Sequence, residues 1–263
     1  MLHMKTTRRD FVRCGSLAAL GLTGFVLANE EASAAAEIGG EKVHDAKRIF
    51  VHAFNFKFKQ GVPEEEIAEL MRALANSKGK IPVLKELLIG KNVAPKRLQR
   101  GFQYGEIAIF EKEEDLKVFD RHPEHRKLVK RILPRMEFGN AMDFVPIGGA
   151  GTGIGTEKAG EKKSGFVHAF SFKFKQGVPE EEIAEVMNDL AQSKAKIPVF
   201  KEYMVGKNVA RMGRGFQYGE IAIFEKKEDL KVYQNHPEHR KIVKRILPKL
   251  AFGNAMDFVP IAV

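Results

Sequence analysis

Repeated histidines are the residues of this sequence whose type and spacing best suit chemistry at neutral pH. An imidazole exchanges its proton close to pH 7, so a positioned histidine serves as a general acid, a general base or a metal ligand. Six of the eight histidines occupy equivalent places in the two halves of the chain. They are His52, His122 and His125 in the first half, and His168, His236 and His239 in the second.

Cysteine chemistry is not expected in the folded part of the chain. The single cysteine, Cys14, lies in an N-terminal segment that we expect to be removed, which excludes disulfides, thiolate metal sites and cysteine nucleophiles from the remainder. The repeated histidines also lack a carboxylate at ligand spacing on the same apolar face. We therefore predict no metal and no other cofactor.

The two halves of the chain are copies of one domain. Residues 50–147 align with residues 166–261 with one two-residue gap, and roughly four-fifths of the aligned residues are identical. The Gly-rich segment between them is typical of a flexible linker. The predicted organisation is a signal segment (1–36), a short linker (37–48), a first repeat (49–147), the Gly-rich linker (148–165) and a second repeat (166–263).

Each copy is predicted to follow the order β-α-β-β-α-β. The first strand, 50–59, alternates cleanly, and Pro63 with three glutamates begins an amphipathic helix that ends before Pro82. Further strands are expected at residues 84–92, 102–110 and 141–146, and helices at residues 113–121 and 123–134. This is the split βαβ, ferredoxin-like pattern of the α+β class.

The pattern leaves one face of each sheet without helices. That face needs a partner, and the second copy, tethered by a flexible linker, is able to provide it. We therefore expect the two repeats to form an intramolecular dimeric α+β barrel, and the chain to be a monomer. Pairing between two chains is the alternative that the sequence leaves open.

Two histidines of each copy are predicted to lie between the sheet and the helices. His52 shares its strand face with Phe54. His125 shares its helix face with three apolar residues, Leu128, Val129 and Ile132. A neutral imidazole there can remove a proton next to a carbonyl while a second donor stabilises the enolate oxygen. The alternative is that these are hydrogen-bonded core histidines, with His122 and His236 as helix caps.

The first 36 residues are predicted to be a twin-arginine export signal. Arg8 and Arg9 precede an uncharged apolar run over residues 14–29. Small residues follow and offer cleavage after Ala34 or Ala36. The apolar run is shorter than the about 20 residues that a membrane-spanning helix needs, so no membrane insertion is expected after cleavage. We expect the mature protein in the periplasm or outside the cell.

Both copies resemble the stress-responsive A/B barrel domain (Dabb) family. The resemblance rests on the opening VHAFNFKFKQGVPEEEI, the later NHPEHRKIVKRILP and the closing MDFVPI, and it spans nearly all of each copy. Members of the family usually pair two separate chains into a dimeric α+β barrel. The resemblance therefore implies that this chain is such a dimer fused into one polypeptide, here with an export signal.

The resemblance also implies a set of site residues. A plant polyketide cyclase of the family uses a first-strand histidine, a tyrosine and the second histidine of its HPxH motif. In the second copy these positions are occupied by His168, Tyr233 and His239, the implied catalytic residues. The first copy has His52 and His125 but Phe119 at the tyrosine position, so the implied site there is weaker.

Three functions are compatible with the sequence. The leading hypothesis is binding of a small ligand, and the formal net charge of +10 favours an anionic one. Four strand-end lysines are candidates for a basic barrel mouth: Lys57, Lys59, Lys173 and Lys175. The alternatives are a cofactor-independent lyase or cyclase and a structural, self-associating protein. Nucleic-acid binding is not expected, because the lysines are interspersed with glutamates and no recognition motif is present.

We expect export to depend on Arg8 and Arg9. Changing both to Lys keeps the positive charge and the apolar run, so a general secretory signal would tolerate the change, whereas twin-arginine recognition would not. Cell fractionation measures the outcome, with the unchanged signal as control. Undiminished export of the double-Lys variant would contradict the assignment.

Overall fold

The computed structural model of the chain describes residues 49–148 and 165–262. The strands are β1 (Phe50–Phe58), β2 (Glu86–Lys91), β3 (Tyr104–Phe110), β4 (Met136–Phe144), β5 (Phe166–Phe174), β6 (Phe200–Lys207), β7 (Tyr218–Phe224) and β8 (Leu250–Phe258). The helices are α1 (Glu64–Ala75), α2 (Lys96–Gln99), α3 (Glu114–Arg121), α4 (Pro123–Ile132), α5 (Glu180–Ala191), α6 (Ser193–Lys196), α7 (Glu228–Asn235) and α8 (Pro237–Ile246). In these ranges no helix is long and apolar enough to cross a membrane. The signal segment, the N-terminal linker and nearly all of the Gly-rich linker lie outside the described residues.

Each repeat forms one four-stranded antiparallel sheet. The strand order is β2-β3-β1-β4 in the first repeat and β6-β7-β5-β8 in the second. The first strand of each copy is therefore central, flanked by the third and the fourth. The predicted fold class, α+β with two ferredoxin-like repeats, is confirmed.

The closing strand of each repeat is longer than its sequence pattern indicates. We expected it at residues 141–146, whereas β4 begins at Met136 and ends at Phe144. The additional residues continue the pairing with β1, where Phe138 lies opposite Lys57. The register shifts between Lys57 and Phe58, and a shift of this kind interrupts the alternation of apolar residues. The apolar pattern alone therefore missed the start of the strand.

The alternation along β1 separates two cores, as predicted. Phe56 and Phe58 point to the helices, where they pack with Leu70 of α1. Val51 and Ala53 point the other way, into a core that is shared with the second repeat. The apolar residues of α1 and of one face of β1 thus pack together in one layer, and the opposite face of the sheet is also apolar.

The last helix of the first repeat buries a narrower stripe than predicted. Leu128 and Ile132 are buried, whereas Val129 is 37% exposed, so our assignment of Val129 to the buried stripe is wrong. Adjacent residues of a helix lie about 100° apart around its axis, because one turn takes about 3.6 residues. Val129 is therefore turned towards solvent while Leu128 faces the sheet.

The two helix-free faces pack against each other within the chain. Their shared core draws on both repeats and includes Val51 and Val167, which are fully buried. Glycines in one repeat accommodate large side chains of the other: Phe258 lies over Gly90, Phe144 over Gly206, Met256 over Gly105 and Met142 over Gly219. A Cβ at any of these glycines would lie 2.6 Å or less from the opposing side chain, so a larger residue would force that side chain to move.

The edges of the two sheets also join. The Ile147 N–H donates to the carbonyl of Val205 on β6 at 2.9 Å, and the Ile261 N–H donates to the carbonyl of Ile89 on β2 at 2.8 Å. The chain that follows each last strand therefore pairs with an edge strand of the other repeat. The repeats pair internally, as predicted, and the edges that would invite another chain are covered.

We expect the chain without residues 1–36 to be a monomer in solution, because its own second repeat covers the sheet face and the sheet edge of the first. Light scattering coupled to size exclusion measures the molecular mass directly. A stable dimer mass that persists on dilution would contradict the expectation and would indicate that the sheets pair between chains.

Candidate functional site

Each repeat holds a histidine–aspartate pair on the helix-covered face of its sheet. His52 on β1 lies opposite Asp143 on β4, and His52 Nδ1 is 2.6 Å from Asp143 Oδ1. In the second repeat, His168 Nδ1 is 2.5 Å from Asp257 Oδ1. Because a carboxylate accepts hydrogen bonds, Nδ1 is the protonated nitrogen of each imidazole.

The aspartate raises the pKa of the histidine in both repeats. Burial by itself lowers the pKa of His52 and of His168, because it disfavours the charged ring. The hydrogen bond and the negative charge of Asp143 or Asp257, together with the charges of Glu106 and Asp120 or of Glu220, outweigh the burial, so each pKa lies above its ordinary value. Both rings therefore keep their positive charge to a higher pH than a free histidine.

The second histidine of each HPxH motif is shifted in the opposite direction. His125 and His239 lie in the first turns of α4 and α8, and burial lowers the pKa of both. His239 Nδ1 donates to the backbone carbonyl of Gln234 at 3.2 Å, which leaves Nε2 as the acceptor. Near pH 7 each repeat therefore contains one neutral imidazole, that of His125 or His239. It also contains one imidazole whose raised pKa favours the protonated form, that of His52 or His168.

The first histidine of each motif has a structural role. The side chains of His122 and His236 accept hydrogen bonds at 3.3 Å from the backbone N–H groups of Glu124 and Glu238. They cap the two helices in front of the prolines, as the sequence pattern predicted.

A buried glutamate connects the aromatic residues of the second repeat. The Tyr203 hydroxyl donates to Glu220 Oε2 at 2.8 Å, and the Tyr233 hydroxyl donates to Glu220 Oε1 at 3.1 Å. His168 Nε2 lies 3.7 Å from the same Oε1. The rings of Tyr233 and His239 have centroids 4.1 Å apart. Two imidazoles, two phenols and a carboxylate are thus contiguous.

The structure brings together the three residues implied by the resemblance. The Tyr233 ring lies between His168, at a centroid distance of 6.2 Å, and His239. Burial and then the charge of Glu220 raise the pKa of Tyr233 and Tyr203 well above the ordinary value, so both phenols remain protonated donors. The catalytic role of the three residues stays a prediction.

The first repeat keeps the histidines but loses the phenols. Leu87 and Phe119 stand where the second repeat has tyrosines, and Phe119 stacks on His125 with centroids 4.0 Å apart. Glu106, the counterpart of Glu220, is 6% exposed, and its Oε1 has no hydrogen-bond partner among the described residues. Burial raises the pKa of Glu106 above its ordinary value, although nearby His52 acts against the rise.

An asparagine from each repeat holds the aspartate of the other. Asn92 Oδ1 accepts from the Asp257 N–H at 3.1 Å, and the Val93 N–H donates to the Asp257 carbonyl at 2.7 Å. In the reverse direction, Asn208 Oδ1 accepts from the Asp143 N–H at 3.0 Å. The backbone that carries each aspartate is therefore positioned by the opposite repeat.

Sequence reasoning missed the glutamates, the aspartates and Tyr203. For Glu106 a signal was present, because it follows Tyr104 by two residues on β3 and must share its face. The aspartates depend on the register between the first and last strands, which the sequence pattern does not determine. The sequence alone gives no reason to select Tyr203, because its role depends on the hydrogen bond that it donates to Glu220.

Each strand-end lysine has a nearby partner in the structure. Lys57 pairs with Glu137 at 2.7 Å. Lys59 and Lys175 donate to the carbonyls of Pro134 and Pro248 at 2.8 and 2.6 Å. Lys173 Nζ lies 6.0 Å from the ring centroid of Phe252. A carbonyl or an aromatic ring does not neutralise an ammonium group, so the basic barrel mouth stays a prediction.

Two further features of the described ranges bear on the site. No group of three or more His, Cys, Asp or Glu side chains is arranged to hold a metal ion in the part of the chain that the structure describes. A shallow surface pocket on the second repeat is lined by residues of α7, with His236 at its margin, and does not include His168 or His239.

The sequences of both repeats match one protein family. The stress responsive A/B barrel domain matches residues 50–146 and again residues 166–260. The chain therefore belongs to this family and carries two tandem copies of its domain. A curated relative, the stress-response A/B barrel domain-containing protein HS1 of Arabidopsis thaliana, is 28% identical over 104 residues, which are 40% of this chain and 95% of that protein.

Solved structures show the same fold at low sequence identity. A proposed monooxygenase from Fusobacterium nucleatum matches with a TM-score of 0.62 at 10% identity, over 82% of this chain and 94% of that one. Another proposed monooxygenase, from Lactobacillus acidophilus, matches with a TM-score of 0.55 at 12% identity, over 82% and 99% of the two chains. These similarities concern the fold alone.

We expect Asn92→Ala to lower the pKa of His168, which lies in the opposite repeat, and to leave the pKa of His52 unchanged. Without the Asn92 amide, the Asp257 backbone loses its anchor, the His168–Asp257 hydrogen bond loosens, and burial then dominates the pKa of His168. Nuclear magnetic resonance titration of the histidine ring protons measures both values.

Asn208→Ala is the matched control for this experiment. It should lower the pKa of His52 and leave that of His168 unchanged, because Asn208 holds Asp143. If each substitution changed the histidine of its own repeat, or both histidines equally, the crossed arrangement would be wrong.

Proposed function

We propose that this chain is an exported protein that binds a small carbonyl compound between the sheet and the helices of its second repeat. The observation that carries the proposal is the contact of Tyr233 and His239, with ring centroids 4.1 Å apart, beside a carboxylate that also faces His168. In the first repeat, Phe119 occupies the equivalent place, so no phenol is available there. We therefore assign binding to the second repeat.

The polar groups at this place suit a carbonyl compound that carries an acidic hydrogen. His239 is partly exposed and neutral, and its Nε2 is free to accept the acidic hydrogen, since Nδ1 is bonded to the Gln234 carbonyl. The Tyr233 hydroxyl would turn from Glu220 to the carbonyl oxygen of the ligand. Glu220 would keep the hydrogen bond that it accepts from Tyr203. His168 Nε2 lies 3.7 Å from Glu220 Oε1 and is near enough to replace the hydrogen bond that Tyr233 gives up.

A cofactor-independent lyase or cyclase is the second candidate, and one observation favours it. The pKa of His168 is raised and that of His239 is lowered, and an opposed pair of this kind provides an acid and a base in one site. His239 would remove a proton next to the carbonyl, and Tyr233 would stabilise the enolate oxygen. In a cyclase reaction the enolate carbon would then attack a second carbonyl carbon of the same compound, and the proton held on His239 would pass to the alkoxide oxygen that forms there.

A structural role is the third candidate. His168 is 9% exposed, and both carboxylate oxygens of Glu220 already accept hydrogen bonds from tyrosines of the same repeat. A network satisfied in this way also stabilises a core without any ligand. The experiments below separate this role from the other two.

Export by the twin-arginine route belongs to the same proposal. It rests on Arg8 and Arg9 and on the apolar run after them, which lie outside the described residues. An exported location would present the site to compounds of the periplasm or of the medium.

We expect Tyr233→Phe to weaken binding of the carbonyl ligand while the fold is retained, because the first repeat already accommodates Phe119 at this position. Native mass spectrometry of the protein recovered from the exported fraction identifies the ligand by its mass, and calorimetry compares its affinity for the two proteins. If the site is catalytic, loss of one such donor lowers the rate by about 10²- to 10³-fold.

Tyr203→Phe is the matched control, since it removes a hydroxyl from the same carboxylate but from the oxygen that does not face Tyr233. It should weaken ligand binding clearly less than Tyr233→Phe does, because Glu220 loses one donor but the Tyr233 hydroxyl stays available to the ligand. If Tyr233→Phe alters neither binding nor activity, and His168→Ala lowers only the melting temperature, then the histidine layer is a structural core and the proposal fails.

A further inference from the structure

The first repeat contains a buried hydrogen-bond acceptor that lacks a donor. Glu106 Oε1 is inaccessible and has no partner among the described residues, although the Glu106 side chain lies in the same layer as His52. Leaving a buried polar atom without a partner is costly, because it has given up its bonds to water. Such an atom is open to a donor from outside the fold.

The second repeat shows which kind of donor this position accepts. Glu220 occupies the equivalent place, and its two oxygens accept from the phenol hydroxyls of Tyr203 and Tyr233. The surrounding pattern is the same in both repeats, with a histidine held by an aspartate on the neighbouring strand. The chemistry that satisfies this glutamate is therefore a neutral hydroxyl.

The first repeat has also lost part of the aromatic wall around this glutamate. In the second repeat Phe200, Tyr203 and Tyr233 form one aromatic cluster, since the Phe200 ring lies 4.7 Å from Tyr203 and 5.0 Å from Tyr233. The equivalent residues of the first repeat are Leu84, Leu87 and Phe119. At each of these three positions the first repeat has the smaller side chain. Compared with the second repeat, it therefore lacks two rings and two hydroxyls on one wall of the layer between sheet and helices.

We propose that the first repeat holds a second ligand site, in which the hydroxyl of a small phenol donates to Glu106 and its ring takes the place that Tyr203 fills in the second repeat. Leu84, Leu87 and Phe119 form the apolar wall of this site. The two repeats thus have different ligands, because the second supplies its own phenols and the first receives one. This inference stands apart from the proposed function, which concerns the second repeat.

Binding of 4-methylphenol, which is the tyrosine side chain as a free molecule, tests the proposal on the full chain. Calorimetry should show one saturable site per chain, and the methyl resonances of Leu84 and Leu87 should shift on binding. Toluene has the same shape without the hydroxyl and should bind at least tenfold more weakly. Absence of saturable 4-methylphenol binding, or equal binding of toluene, would overturn the proposal.

Variants of the two equivalent glutamates locate the site. Glu106→Gln keeps the size of the side chain but removes the carboxylate, and it should weaken 4-methylphenol binding at least tenfold. Glu220→Gln makes the same change in the second repeat and should leave the affinity as in the unaltered protein. Equal affinity in Glu106→Gln, or a comparable loss in Glu220→Gln, would contradict a site at Glu106.

Filling the site from within gives an independent measurement. The double change Leu87→Tyr and Phe119→Tyr places tyrosines at the two positions where the second repeat has them. Glu106 then gains two donors, so the variant should no longer bind 4-methylphenol and should have a higher melting temperature. If this variant folds and still binds 4-methylphenol with unchanged affinity, the proposal is wrong. If it does not fold, the two glutamate variants decide the question.

Discussion

The packing of one helix-free sheet face against the other is the interaction on which the rest of this structure depends. A ferredoxin-like sheet covers one face with its own helices and exposes the other, and here the second repeat covers it within the same chain. Large side chains from each closing strand fit over glycines of the opposite sheet, such as Phe144 over Gly206 and Met142 over Gly219. In this arrangement of the two sheets, Asn92 and Asn208 reach the strands that carry the aspartates.

The asymmetry of the two repeats arises from a few exchanges on a shared framework. Both copies retain a histidine with a raised pKa on the first strand and a neutral histidine at the start of the last helix. The wall between them differs, because two tyrosines satisfy Glu220, whereas with Leu87 and Phe119 in their places Glu106 Oε1 has no donor among the described residues. The chain thus contains one polar network in which both oxygens of the glutamate accept hydrogen bonds, and one in which a glutamate oxygen has no donor among the described residues. This difference is the physical basis for assigning different ligands to the two repeats.

The sequence predicted the fold well because the fold is encoded locally and twice. The alternation of β1, the stripe of α1 and the His-Pro helix starts predicted their elements to within a few residues, and the repeat indicated how the free sheet faces are covered. The site was predicted only in part. Asp143 and Asp257 reach the histidines through strand register, and Asn92 acts across the repeats, so neither contact has a local sequence signal. Glu106 was overlooked although its alternation with Tyr104 placed it on the helix-covered face.

Amide hydrogen exchange at the junction between the repeats tests the central claim most directly. The N–H groups of Asp143 and Asp257 donate to asparagines of the opposite repeat, and those of Val93 and Val209 donate to the Asp257 and Asp143 carbonyls. If the repeats close on each other as described, these four amides should exchange as slowly as the paired amides of β1 and β3. Rapid exchange at the four amides, while the strands within each sheet stay protected, would contradict internal closure and the crossed positioning of the two histidine sites.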